Sequence, residues 1–87
     1  MLYHRATTDE IERKVSAATD NEIEYRGLRI AYGLPAGKTG KMNRLEVQRP
    51  DGSLIEAFRY KHHQSRWQNG LVLAIAKAQT WCDANLI

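Results

Sequence analysis

The apolar positions change period along the chain. From Ser65 to Ala84 they recur at three- and four-residue steps, placing Trp67, Leu71, Ala74, Ile75, Ala78 and Cys82 on one stripe, the pattern of a long amphipathic helix. Ser65 and Gln68 fit a capping box at its start, and the helix would run roughly 28 Å, enough to cover a small sheet. A shorter helix of about three turns is predicted after Thr7, Thr8 and Asp9. There Thr7 and Glu10 form a second capping box, acids cluster in the first turn, and Ile11, Val15 and Ala18 give a narrow stripe that packs at the edge of the core. Residues 1–6 carry no assignable pattern.

Between the helices the period is two. Leu28, Ile30 and Tyr32 share one face and Arg29 and Ala31 the other, as in a half-buried strand, while Gly27 interrupts the alternation with Ile23 and Tyr25 and predicts a bulge or sharp bend. Residues 33–41 read as a basic loop rich in turn formers. A second strand follows, with Leu45 and Val47 inward and Arg44, Glu46 and Gln48 outward. Arg49-Pro50-Asp51-Gly52 signals a tight turn, and a third strand sends Leu54, Phe58 and Tyr60 inward, Arg59 and Lys61 outward. Glu56 breaks that parity and implies a register shift or an edge position. Short connections favour neighbours pairing in sequence, so the expected fold is α+β, a single domain over residues 1–87. It has a short N-terminal helix and a three-stranded antiparallel meander packed on the long C-terminal helix. Parity then projects Arg29, Arg44, Arg59 and Lys61 from the face turned away from that helix.

Size limits what such a fold can hold. A chain of 87 residues buries only about 60–65 % of its unfolded surface, hence one thin core. An ordinary catalytic cleft would consume much of it, which argues against an enzyme and against a small-molecule substrate. Net charge is +3 but segregated: residues 1–25 carry six acids and three bases, residues 26–66 nine bases and three acids. A basic middle third attracts polyanions or acidic protein surfaces, although a solvated sheet face is the ordinary origin of such charge. Cys82, the one cysteine, sits on the apolar stripe as a buried thiol, which suits a reducing, cytoplasmic setting. No leader pattern or apolar run near 20 residues appears, so neither export nor a membrane partner is expected.

The candidate chemistry narrows further. Residues 33–39 end in Gly37-Lys38-Thr39, like a nucleotide-binding phosphate loop, but Tyr32 stands where the first glycine belongs, a strand follows instead of a helix, and the chain is too short. Lys38 and Lys41 with the loop's glycine amides remain able to grip a nucleic-acid phosphate. His62 and His63 point to opposite faces of a strand end, and His4 and Cys82 lack ligand spacing, so neither metal nor cofactor is expected. Glu46 and Glu56 stand among arginines, where salt bridges are the ordinary outcome, and Trp67 and Trp81 read as packing residues.

Arginines from every strand on one face are the constellation above background, since the guanidinium fork bridges phosphates and reads guanine edges. Tyr25-Arg26-Gly27-Leu28-Arg29 resembles the first-strand motif of AP2-type DNA-binding domains. Leu45-Glu46-Val47, Gln48-Arg49-Pro50, the turn glycine Gly52 and the alanine-rich helix of Ala74 to Ala78 follow in that family's order, over residues 25–84. The resemblance implies base and phosphate contacts from Arg26, Arg29 and Arg49. The chain departs from the family in lacking its tryptophan and glycine signature after the first strand, in a longer first loop, and in a third strand without the usual aromatic pair and glycine. The element order is also similar to double-stranded RNA-binding domains, but Arg66-Trp67-Gln68-Asn69 replaces their lysine cluster. Two functions are expected from these readings. One is a non-enzymatic nucleic-acid-binding module using Arg26, Arg29, Lys38, Lys41, Arg44, Arg49, Arg59 and Lys61. The other is a phage- or mobile-element-type inhibitor or adaptor, anti-CRISPR-like in size and build, that binds a nucleic-acid-handling protein with the same residues. A subunit of a homo-oligomer is a third.

Overall fold

The segment that alternation alone reads as one bent strand is a hairpin. In the computed structural model, which describes residues 5–36, 42–61 and 70–86, the elements are α1 (Arg5–Ala17), β1 (Glu22–Tyr25), β2 (Leu28–Pro35), β3 (Met42–Gln48), β4 (Leu54–Lys61) and α2 (Gly70–Asn85). Arg26 and Gly27 both take positive φ, 52° and 85°, between the paired residues Tyr25 and Leu28. That is the pattern of a two-residue type I′ turn, whose twist matches the flanking strands. The Gly27 amide donates to Glu24 Oε2 at 2.6 Å and braces it. The three-stranded expectation is therefore corrected: the sheet has four antiparallel strands in the order β1-β2-β3-β4, still a meander in an α+β fold.

Two irregularities set which side chains face which way. Between β2 and β3 the register steps from Ala31 opposite Glu46 to Leu34 opposite Arg44, and Gly33 takes φ 76° in the bulge. Its amide donates to the Tyr60 hydroxyl at 2.9 Å, a bond that passes over β3 and ties β2 to β4. Between β3 and β4 the register steps from Val47 opposite Glu56 to Gln48 opposite Leu54. Leu54 was expected inward, but the shift places it opposite outward-facing Gln48, and it is 56 % exposed. The shift anticipated from Glu56 is present, and β4 is also an edge strand.

The core lies between the sheet and the helices. Ile11, Ile30, Leu45, Val47, Ile75 and Cys82 are its largest fully buried side chains. Along α2 the expected stripe of Ala74, Ile75, Ala78 and Cys82 is buried, and so is a second flank of Val72, Ala76 and Gln79. The wider burial follows from α2 touching both the sheet and α1. On α1, Ile11 is buried, and Val15 and Ala18 just beyond it are partly so. The helix starts by Arg5, however, so Thr7 lies inside its first turn instead of capping it, and that turn holds no acid. Trp81 meets Phe58 edge-on, ring centroids 6.2 Å apart. The capping box of Ser65 and Gln68, and Trp67, lie outside the described residues. Among the described residues no helix is long and apolar enough to cross a membrane.

Candidate binding face of the sheet

Pairing with core positions fixes the outer face. Ile23, Ile30 and Val47 stand in register on the inner side, and Leu45 faces Phe58, so Glu22, Glu24, Arg29, Arg44, Glu46, Arg59 and Lys61 project outward. The expected parity of the four basic residues holds. Their environments do not match, because the face divides along its width.

On the β1 side the charges are matched. Arg29 donates from Nε to Glu22 Oε1 at 3.1 Å and from Nη2 to Oε2 at 2.8 Å, a bidentate pair between neighbouring strands. The hydrogen bond and charge of Glu22 hold the Arg29 guanidinium protonated above its ordinary range. Glu24 stands directly opposite Arg29. This arginine is already answered.

On the β4 side the charges are alike. Arg44 is directly opposite Arg59, and Lys61 comes next on the same face of β4, opposite Met42. Arg59 and Lys61 are exposed, and among the described residues no carboxylate lies within ion-pair distance of either. Arg44 reaches along its own strand, Nη2 to Glu46 Oε2 at 2.8 Å, as the glutamate's position two residues on predicts. Glu46 Oε1 accepts from Gln48 Nε2 at 2.9 Å. Arg44 Nε is buried with no hydrogen-bond partner, an unmet donor in the middle of the face. Glu56, the other glutamate expected to pair, accepts from the Ala57 amide at 2.9 Å.

The remaining predicted residues lie elsewhere. The Arg26 guanidinium sits 5.6 Å from the centre of the Tyr25 ring and 3.5 Å from Asp83 of α2, on the helix side of the sheet. Tyr25 donates its hydroxyl proton to the same carboxylate, with both oxygens at 2.8 Å. Burial, then the Asp83 hydrogen bond, push the Tyr25 phenol above its ordinary value. Asp83 lies near the helix C-terminus, where the dipole disfavours an anion, so Arg26 and Tyr25 offset that cost. Arg49 is exposed in the β3–β4 turn, at the far end of β3 from Arg44; its carbonyl accepts from the Gly52 amide at 2.8 Å. Lys38 and Lys41 lie outside the described residues, between β2 and β3 in the sequence. The structure thus brings together Arg44, Arg59 and Lys61, holds Arg29 apart in its own pair, and leaves Arg26 and Arg49 outside the group.

Cys82 is buried, and burial followed by the Asp83 charge pushes its thiol up, away from the thiolate a nucleophile needs. Among the described residues no three His, Cys, Asp or Glu side chains gather to hold a metal; His4, His62 and His63 lie outside them. A shallow depression lined by Asp9, Glu12, Arg13, Ser16 and Ala17 is the surface of α1 alone. Compared with known protein families, curated proteins and solved structures, the chain finds no match. The likeness of residues 25–84 to AP2-type domains therefore rests on its motif residues alone.

Proposed function

We propose that this protein is a non-enzymatic module that engages nucleic acid through its phosphates, with Arg59, Lys61 and Arg44 as the gripping corner and Lys38 and Lys41 on the adjoining segment. A reducing, cytoplasmic compartment suits it. One observation carries the reading: Arg44 and Arg59 stand in register on adjacent strands with Lys61 beside them. Like charges directly opposite destabilise a sheet, and a bound phosphate chain turns that repulsion into attraction. Arg29 does not belong to the grip, because Glu22 already neutralises it. The relevant face is a corner, narrower than an array spanning every strand.

Each phosphate contact releases counterions, so the corner's three contacts alone predict affinity that falls roughly 40-fold between about 50 and 200 mM salt, and contacts from Lys38 and Lys41 would steepen the fall. A labelled duplex and a labelled single strand titrated at both salts measure this. The double variant Arg59→Ala/Lys61→Ala should weaken binding about tenfold or more at low salt and lower the salt slope by about 2. Binding of neither probe at 50 mM salt ends the proposal.

A further inference from the structure

We infer that Arg44 and Arg59 make one phosphate site and that Glu46 guards it, holding the Arg44 guanidinium in the place a phosphate oxygen would take. This rests on the polyanion reading above and names how the same corner selects its ligand. Three observations converge. Arg44 commits Nη2 to Glu46 at 2.8 Å while its side chain stays 41 % exposed, and a guanidinium carries five N–H donors, so one ion pair does not exhaust the fork. Arg59 is directly opposite, and cross-strand Cβ atoms roughly 5 Å apart let two guanidiniums reach one anion between them. Glu46 is clamped from its other side by Gln48 Nε2 at 2.9 Å, and its side chain is only 16 % exposed. It is an internal competitor, poorly hydrated and held in position.

The consequence is a threshold. A small anion must displace Glu46 with what a single charge gains from Arg59. A phosphodiester chain engages Arg59 and Lys61 with neighbouring phosphates first, and then competes for Arg44 at a high effective concentration. Once displaced, Glu46 keeps Gln48 as a partner, so opening the pair does not strand a buried carboxylate. The corner therefore selects a chain of phosphates over inorganic phosphate.

A double-mutant cycle tests this with the full chain and a duplex of about 20 base pairs in low salt. Glu46→Gln keeps the shape and the contact with Gln48, and should bind about two- to fivefold tighter, the range an ion pair's removal allows. In an Arg44→Ala background the same substitution should gain nothing. Glu10→Gln, an equal charge change on the exposed surface of α1, should leave affinity unchanged. Inorganic phosphate should compete with the duplex measurably better on Glu46→Gln than on the wild type. Thermal midpoints of all variants control for folding. If the Glu46→Gln gain survives in the Arg44→Ala background, or Glu10→Gln matches it, Glu46 acts only as bulk charge and the guard is disproved while nucleic-acid binding stands. If the wild type binds neither this duplex nor a single strand, both proposals fail together; if it binds the single strand alone, the cycle is read with that probe.

Discussion

The two hairpins of this sheet are built on opposite rules. The first, β1–β2, closes through Arg26 and Gly27, both at positive φ, and matches its charges: Glu22 with Arg29, Glu24 with the turn's own amide, Tyr25 and Arg26 with Asp83 on the helix. The second, β3–β4, closes through the Pro50-Asp51-Gly52 turn and sets Arg44 against Arg59. Its tyrosine is the reverse of the first: Tyr60 is buried and accepts from the Gly33 amide, whereas Tyr25 donates to a half-exposed carboxylate. The lesson is that charge in the first hairpin is accounted for by construction. In the second it is not: Arg44 and Arg59 stand in register, and the proposed phosphate grip rests on that mismatch.

The largest expected effect on stability comes from breaking the tyrosines in turn. Tyr60→Phe strips the acceptor from the Gly33 amide and unties β2 from β4, at a cost of about 1–2 kcal/mol. Tyr25→Phe should cost less, because water reaches Asp83 at the surface. Alkaline pH sharpens the contrast. Burial raises the Tyr60 phenol above its ordinary value near 10, outweighing the Gly33 and Asn43 hydrogen bonds that lower it. A raised folded value means that this contribution is complete below about pH 10 and is lost as pH climbs through the folded value, since the unfolded chain then binds fewer protons. Tyr32 adds to the same limb, raised by burial and then by the Asp20 charge. Urea midpoints at about pH 7 and pH 10.5 should show Tyr60→Phe less stable at neutral pH and less sensitive to the rise. Equal behaviour of the two phenylalanine variants would refute the distinction between the hairpins.

Much of this was legible in the alternation. Leu28, Ile30, Tyr32, Leu45, Val47 and Tyr60 declare the inner face, and the outward parity of Arg29, Arg44, Arg59 and Lys61 follows from it. The fourth strand was hidden because a type I′ turn is usually announced by Asn-Gly or Asp-Gly, whereas Arg26 enters the left-handed region here with only Gly27 as a sign. Missing β1 also hid Glu22, and with it the fact that Arg29 is neutralised. Leu54 was misplaced because a bulge moves every residue beyond it to the other face, although Glu56 gave warning of one. Arg26 looked like part of the array by adjacency in sequence. Its partner Asp83 lies 57 residues away on the helix, a contact that no local pattern encodes.

The smallest effect carries the clearest sign. If the Arg44–Arg59 juxtaposition is an unrelieved repulsion in the unbound protein, replacing Arg59 by a good strand former should help the fold while harming binding. Arg59→Thr is therefore expected to raise stability by a few tenths of a kcal/mol at low salt. Arg29→Thr, one hairpin away, should lower it, because it strands Glu22 beside Glu24 without its guanidinium partner. The electrostatic part of both differences should shrink near 1 M salt, more for the cross-strand repulsion at Arg59 than for the contact pair of Arg29 and Glu22. Denaturant midpoints for the two variants at low and high salt measure all four values. A loss of stability in both variants would mean that Arg59 is built into the sheet as Arg29 is, and the contrast between the hairpins would no longer point to a ligand.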